Sequence, residues 1–217
     1  MKLLWSPRSP FVRKVMIVLH ETNQVDDLTL ERNVVAMAAP NDTVMKSNPL
    51  NKIPTLVLDD GTVLFDSRVI CEFFDRRHAG PRLFPGEPEA YFQALTRQAV
   101  GDGLMDLLLV WRNWFQDREL PFNDTTDPYL RAFALKTDTT LNTLELAAPG
   151  LAATPLSIGH VSIGCALGLL DFRWPDIDWR GRRPALAAWY TEFAQRPSMR
   201  TTAPVHDTPS TDPGGTP

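Results

Sequence analysis

The sequence predicts an α/β domain followed by an all-helical domain. Strand and helix patterns alternate from residue 1 to about residue 78, and five glycines and prolines interrupt residues 79–88. Beyond them, every apolar pattern has helical spacing. We therefore assign the first domain to residues 1–78, a linker to residues 79–88 and the helical domain to residues 89–200. Residues 201–217 are polar and offer almost nothing to bury, so we predict a disordered tail there.

The α/β domain has the predicted order βαβ, a poorly marked helix, then ββα. Its predicted elements are the strands Lys2–Trp5, Leu28–Arg32, Thr55–Leu58 and Val63–Phe65, the helix Phe11–Glu21 and a helix opened by Asp66-Ser67. Asp59-Asp60-Gly61 joins the last two strands and is typical of a hairpin turn.

The second domain has four predicted helices, because apolar residues recur at helical spacing throughout it. They are Glu89–Asp117, Tyr129–Ala147, Ser157–Phe172 and Pro184–Gln195. Gly101 and Gly103 lie inside the first of them, where each costs about 1 kcal/mol relative to Ala. We therefore expect a close helix or ligand approach at these glycines.

The composition favours a small ligand over a nucleic acid or a membrane. The chain has 217 residues, 43% of them hydrophobic, which is enough for a sizeable core, and its net charge is -4. Its N-terminus lacks the apolar segment of a signal peptide, and no apolar run approaches the roughly 18 residues of a membrane span. We expect a cytoplasmic protein.

The cysteines and histidines give no sign of a metal site. Cys71 and Cys165 lie among apolar residues, which predicts small buried side chains rather than a disulfide. The four histidines share no metal-ligand spacing. We therefore predict no metal.

Pro54 opens a predicted strand and has two interpretations. It could be an ordinary proline at the start of an edge strand. Alternatively, a cis Ile53-Pro54 bond would leave the backbone N–H and C=O of Ile53 available like a free strand edge, to which a peptide-like ligand could pair.

Asp66-Ser67 likewise has a structural and a functional interpretation. Both residue types are common at helix N-caps. A helix N-terminus also attracts anions, so the Ser67 hydroxyl and nearby N–H groups could bind a carboxylate while Asp66 holds an ammonium group. Together the two residues would recognise the zwitterionic end of an amino acid.

Ser9-Pro10 forms a strong helix start at the tip of the first strand. Ser9 fits the N-cap and Pro10 the first helical position, which structure alone would explain. The same placement aims the Ser9 hydroxyl beyond the strand tip, in the positive field of the helix, where a thiolate would be stabilised. We interpret Ser6-Pro7 as the bend that leads off the strand.

Four segments of the chain are similar to those of a known family. They are SPFVRK (residues 9–14), NPLNKIPTL (48–56), FDSRVICEFFD (65–75) and CALGLLDFR (165–173). With the order of the elements, they resemble the cytosolic glutathione transferases, and they are most similar to the bacterial YibF-like group. The SPF motif is also similar to that of the plant tau class. The resemblance implies a thioredoxin-like βαβαββα domain that binds glutathione, followed by a helical bundle domain.

The resemblance assigns roles to the residues singled out above. It implies that Ser9 is catalytic and faces the glutathione sulfur. The implied glutathione-binding residues are Lys52, Ile53, Pro54, Asp66 and Ser67. Of these, Ile53 would pair with the cysteinyl backbone, Asp66 and Ser67 would hold the γ-glutamyl end, and Lys52 would reach the glycyl carboxylate. The absence of a cysteine near Ser9 argues against thiol exchange.

Two further features bear on the helical domain. The family opens its core helix with Ser/Thr-x-x-Asp, whereas Ser157 is followed by His160 here, so the sequence leaves open whether the reciprocal capping bond forms. Asp102 and Asp106 could be solvated, or one of them could reach the glutathione site of a neighbouring subunit, as in related dimers.

A second substrate is expected between the two domains. An apolar wall with one cation would consist of Trp5, Met105, Leu108 and Arg112, although the same helical stripe could be plain core. We therefore expect a homodimeric glutathione transferase that uses glutathione as co-substrate and conjugates it to a small hydrophobic electrophile, with a weak peroxidase activity besides. The alternative is a non-catalytic glutathione-binding or scaffold protein of the same fold.

Overall fold

The computed structural model describes residues 1–206, which form a small mixed sheet with helices followed by a helical domain. The strands are β1 (Lys2–Trp5), β2 (Thr29–Arg32), β3 (Thr55–Val57) and β4 (Val63–Leu64). The helices are α1 (Pro10–Glu21), α2 (Asp42–Met45), α3 (Ser67–Asp75), α4 (Pro88–Asp117), α5 (Pro128–Ala153), α6 (Ile158–Arg173), α7 (Pro184–Phe193) and α8 (Pro197–Thr201). A short 3-10 helix, Val25–Asp27, precedes β2. The predicted fold class is confirmed.

The sheet has the strand order β2-β1-β3-β4. β1 pairs in parallel with β2, and β3 is antiparallel to both β1 and β4. Because Leu4 pairs with Thr55, the carboxyl end of β1 lies beside the amino end of β3. The start of α1 and the Ile53-Pro54 segment therefore meet at the same edge of the sheet.

α1 packs between the sheet and the helical domain and is buried along most of its length. Ile17, Val18 and Leu19 are fully buried. On the opposite side, Gly168 of α6 lets Arg13 approach, since a Cβ at this glycine would lie 2.1 Å from Arg13 Nη1. Such an approach leaves no room for any larger residue there.

The two glycines predicted to mark a close approach behave differently. A Cβ at Gly101 would lie 2.5 Å from the backbone of Ser162, so this glycine lets α4 pack tightly on α6. Gly103 is exposed and has nothing within 4 Å of the same position. The prediction of a close helix approach is confirmed for Gly101, whereas at Gly103 only the ligand approach stays a prediction.

α5 extends beyond its predicted end at residue 147. It continues to Ala153 through Pro149, a residue that lacks the N–H needed for the helical hydrogen bond. Long-range packing compensates, because Ala148 and Leu151 are each 2% exposed and belong to the core.

Eleven residues of the predicted disordered tail, 207–217, lie outside the described residues, whereas residue 201 ends α8.

The reciprocal cap of α6, which the sequence left open, is present. The Ser157 N–H donates to Nδ1 of His160 over 3.1 Å. Nε2 of His160 lies 3.1 Å from the carbonyl oxygen of Leu151, so the neutral ring with its proton on Nε2 satisfies both contacts. Burial lowers the pKa of His160 and favours this neutral form.

Both cysteines are free and buried, as predicted. Burial raises the pKa of Cys71 to about 12 and that of Cys165 to about 11.

Within residues 1–206, no three His, Cys, Asp or Glu side chains are grouped so that they could hold a metal ion. None of the helices in this part of the chain has the length and apolar character needed to cross a membrane.

Candidate active site

Ser9 is the N-cap of α1 at the carboxyl end of β1. Its Oγ accepts the N–H of Val12 over 3.3 Å, and its own N–H donates to the carbonyl of Ser6 over 3.2 Å. The cap occupies one acceptor position of the hydroxyl and leaves its proton able to donate. Ser9 is half-buried, so a ligand at the sheet edge can reach this hydroxyl.

The Ile53-Pro54 segment lies at the same edge of the sheet, and its peptide bond is cis. Both residues are buried. Within residues 1–206, neither the N–H nor the C=O of Ile53 has a hydrogen-bond partner. The preceding loop is held in place, because Thr55 Oγ1 donates to the carbonyl of Lys52 over 2.8 Å. A fixed backbone with an unpaired donor and acceptor is suited to pairing with an extended ligand.

Asp66 and Ser67 open α3. Asp66 is the N-cap, and its Oδ1 accepts the N–H of Arg68 over 2.8 Å. The Asp66 side chain is otherwise exposed, whereas Ser67 is 2% exposed and is the first residue of the helix. The capping interpretation therefore holds, and it leaves the second carboxylate oxygen of Asp66 accessible to a cation.

Lys52 lies near enough to Asp106 for their charges to interact. Lys52 is exposed, and its charge acts on the carboxyl group of Asp106. Partial burial raises the pKa of Asp106, and Lys52 opposes that rise. Asp106 on α4 therefore interacts electrostatically with Lys52 of its own chain.

Asp102 is buried within its own chain. Its carboxylate is therefore neither exposed to solvent nor able to contact the glutathione site of a neighbouring subunit. Lys14 Nζ lies 2.8 Å from each of its carboxylate oxygens, and Arg68 Nε donates to Oδ2 over 2.9 Å. The Ser162 hydroxyl also donates to this carboxylate. Because Arg68 follows Ser67 directly, Asp102 ties the start of α3 to the helical domain.

This cluster is not among the features predicted from the sequence. A signal was available: Arg13 and Lys14 interrupt an otherwise apolar helical segment, and a buried lysine requires an acidic partner. The sequence alone could not identify Asp102 as that partner, because 88 positions separate the two residues.

The residues predicted for a second substrate divide into two groups. Trp5 at the end of β1 and Arg112 on α4 are half-buried and accessible. Met105 and Leu108 are fully buried in the hydrophobic core. Met105 and Leu108 are therefore part of the core, as the alternative interpretation of this helical stripe has it, because a side chain with no exposed surface cannot touch a ligand without moving.

Comparison with known proteins identifies both domains. Residues 8–77 match the family model "Glutathione S-transferase, N-terminal domain", and residues 127–192 match "Glutathione S-transferase, C-terminal domain". The chain is 31% identical over 207 residues to the uncharacterized GST-like protein YibF of Escherichia coli (strain K12). The aligned region covers 94% of this chain and 98% of that protein.

Solved structures give the same result. A glutathione transferase family member from Pseudomonas fluorescens Pf-5, with bound glutathione, is 40% identical, has a TM-score of 0.85 and covers 94% of this chain and 99% of its own. A second structure from this organism, with bound S-(propanoic acid)-glutathione, is 39% identical and has a TM-score of 0.81. The match covers 95% of this chain and 100% of that structure's chain. The chain therefore belongs to the glutathione S-transferase family.

Proposed function

We propose that this protein is a glutathione transferase that activates the glutathione thiol and conjugates it to a small hydrophobic electrophile. The observation that carries the proposal is the position of Ser9. Its hydroxyl can donate at the positive end of α1, beside a segment whose Ile53 backbone groups are unpaired. Glutathione bound to the Pseudomonas fluorescens relative supports the same ligand here.

Each part of glutathione has a partner in this proposal. The cysteinyl backbone pairs with Ile53, as a strand pairs with a sheet edge. The γ-glutamyl carboxylate binds at Ser67 and the start of α3, and its ammonium group binds Asp66. Lys52, which is exposed beside the site, binds the glycyl carboxylate. The sulfur then lies at Ser9.

Ser9 and its helix are sufficient to ionise the thiol at neutral pH. A thiol with a pKa of about 8.5 is roughly 3% ionised at pH 7, and lowering its pKa by about 2 units takes about 2.7 kcal/mol. A hydrogen bond to a charged group contributes about 1.5–3 kcal/mol and a helix N-terminus about 0.3–1 kcal/mol. Ser9 stays protonated and donates, while the glutathione sulfur is the nucleophile.

The second substrate lies between the domains in this proposal, against Trp5 and Arg112, with Met105 and Leu108 packed beneath. The Pseudomonas fluorescens relative with bound S-(propanoic acid)-glutathione carries a substituent on the glutathione sulfur. We propose that this chain accommodates such a substituent as well, and that weak peroxidase activity accompanies conjugation. The SPF motif, with its likeness to the tau class, supports the choice of Ser9.

We also propose that the protein is a cytoplasmic homodimer. Near the domain junction, Tyr91 is half-buried, and its neighbour Phe92 is 65% exposed. A partner subunit would cover this apolar surface. Light scattering at micromolar concentration should give twice the chain mass of 24.4 kDa, and a monomer would contradict the dimer.

The burial of Met105 and Leu108 favours a second candidate, a glutathione-binding protein without transferase activity. Because they are buried, Met105 and Leu108 no longer count among the four predicted contacts to the second substrate. Retention on immobilised glutathione is expected for both candidates, so only turnover separates them.

The experiment that tests the enzyme is conjugation of glutathione to a generic aromatic electrophile. We expect the wild-type protein to accelerate the reaction and Ser9→Ala to lose at least tenfold in kcat/KM. Ser6→Ala is the matched control and should keep most activity, because it is the backbone carbonyl of Ser6 that accepts from Ser9. Glutathione binding without acceleration of any electrophile in a broad panel would select the binding protein.

A further inference from the structure

Three arginines from three elements lie near one another at the junction of the domains. Arg8 lies in the turn after β1 and directly precedes Ser9. Arg112 lies on α4, and Arg173 is the last residue of α6. All three are half-buried. Only Arg112 is among the site residues predicted from the sequence.

The packing of α4 on α6 brings two of the arginines together. Trp111, next to Arg112, packs on Trp174, next to Arg173, with ring centroids 4.4 Å apart. Arg8 then approaches both from the α/β domain, close enough for its charge to act on each. The three positive charges therefore converge at the junction of the domains.

Two of these arginines, Arg112 and Arg173, are partly removed from water. Burial lowers the pKa of Arg112, and the charge of Arg8 adds to the effect. Burial also lowers the pKa of Arg173 to about 10, with Arg112 and Arg8 adding to it. Ordinary solvated surface arginines would not be perturbed in this way.

The cluster has no counter-ion within residues 1–206. In this part of the chain, none of the three arginines forms an ion pair or a hydrogen bond. Nε of Arg173 is buried without a partner, and its guanidinium group lies 5.2 Å from the centroid of the Phe172 ring. By contrast, half-buried Arg196 is paired with Glu21 over 2.8 Å.

This arrangement is unfavourable without an anion and favourable with one. Three like charges repel, and a buried guanidinium N–H without an acceptor loses the hydrogen bond it makes in water. A carboxylate would neutralise the repulsion and accept from the guanidinium groups, whose planar fork matches its geometry.

We propose that Arg8, Arg112 and Arg173 bind the carboxylate of the second substrate next to the sulfur at Ser9. This inference rests on the proposed transferase function and narrows its electrophile to a small apolar skeleton that carries a carboxylate. Because Arg8 is adjacent to Ser9, the carboxylate lies a short distance from the reacting carbon. An α,β-unsaturated carboxylate has this spacing.

The reaction is an addition. The thiolate forms a bond to the β-carbon, the C=C electron pair moves to the α-carbon and the carboxylate oxygens, and the α-carbon takes a proton from water. The thiol proton is released to water beforehand, so atoms and charge balance without a leaving group. The arginines stabilise the negative charge that grows on the carboxylate oxygens during this step.

The test compares two adducts by calorimetry, S-(2-carboxyethyl)glutathione and the uncharged S-propylglutathione, with glutathione as reference. The wild-type protein should bind the carboxylate adduct at least tenfold more tightly than the propyl adduct. Arg112→Met and Arg173→Met should each reduce this preference at least threefold and leave the affinity for glutathione unchanged, which also shows that each variant is folded. Arg200→Met removes an exposed arginine of α8 and should keep the full preference.

A kinetic measurement on the wild-type protein makes the test independent of the variants. The acceleration of glutathione addition over the uncatalysed rate should be at least tenfold greater for acrylate than for acrylamide. Equal affinity for the two adducts, or a preference that survives in both arginine variants, would overturn the carboxylate site while glutathione binding stands. Failure to bind glutathione at all would overturn the proposed function with it.

Discussion

Lys14 Nζ lies 2.8 Å from both carboxylate oxygens of Asp102, and both side chains are almost completely buried. The pair joins α1 of the first domain to α4 of the second. Arg68 also donates to this carboxylate, so the two ends of the proposed glutathione site, Ser9 on α1 and Ser67 on α3, are held by one acidic side chain. The geometry of the site therefore depends on the domain interface.

Replacing Asp102 should destabilise the protein strongly. Asp102→Asn leaves Lys14 charged and buried without a counter-ion, and breaking a buried pair in this way costs about 3–5 kcal/mol. The free energy of unfolding, measured in urea, should fall by this amount. Asp106→Asn is the control, since this neighbouring carboxylate forms no hydrogen bond or ion pair within residues 1–206, and it should change stability by no more than about 0.5 kcal/mol. A loss below about 1 kcal/mol in Asp102→Asn would contradict the role given to the pair.

Glutathione affinity should depend on the pair that opens α3. Asp66→Ala and Ser67→Ala each remove a charge-assisted hydrogen bond, so calorimetry should show at least a tenfold weaker affinity in each variant. Asp26→Ala changes an exposed aspartate of the short 3-10 helix and should bind like the wild-type protein. Wild-type affinity in both Asp66→Ala and Ser67→Ala would remove the γ-glutamyl assignment.

Acidification should lower the free energy of unfolding because His160 becomes protonated. Burial lowers the pKa of this residue from its ordinary value of 6.5, and the charges of Arg97 and Arg196 act in the same direction. The unfolded chain therefore takes up the proton first, so the stability that neutral His160 contributes is complete above about pH 6.5 and is lost as the pH falls through the lowered value. Protonation also places a proton on Nδ1, which can then no longer accept from Ser157.

The measurement for His160 is the free energy of unfolding between pH 7.5 and pH 5. His160→Gln keeps an acceptor at this capping position but does not titrate. The wild-type protein should lose stability relative to His160→Gln on acidification. Parallel curves for the two proteins would show that the ring does not carry this pH dependence.

The features that the sequence predicted are those encoded by neighbouring residues. Ser9 with Pro10 marks the start of α1, and Asp66 marks the start of α3, because a cap depends on the next three residues alone. The predicted end of α5 at residue 147 is wrong, because burial of Leu151 by distant residues continues the helix through Pro149 to Ala153.

Features that depend on distant residues were out of reach of the sequence. The partner of Lys14 and the convergence of Arg8 with Arg173 arise from how α4 and α6 pack, which no local pattern specifies. The burial of Met105 has the same origin: helical spacing shows that a face is apolar but not whether a ligand or the protein's own core covers it.

The central claim, that Ser9 activates the glutathione thiol, is tested most directly by the pKa of that thiol when glutathione is bound. Titration by the ultraviolet absorbance of the thiolate should give a value about one to two units higher in Ser9→Ala than in the wild-type protein, because the lost hydrogen bond is worth about 1.5–3 kcal/mol. Ser6→Ala should leave the value near that of the wild-type protein. An unchanged pKa in Ser9→Ala, with a raised one in Ser6→Ala, would contradict the account and reduce Ser9 to the cap of α1.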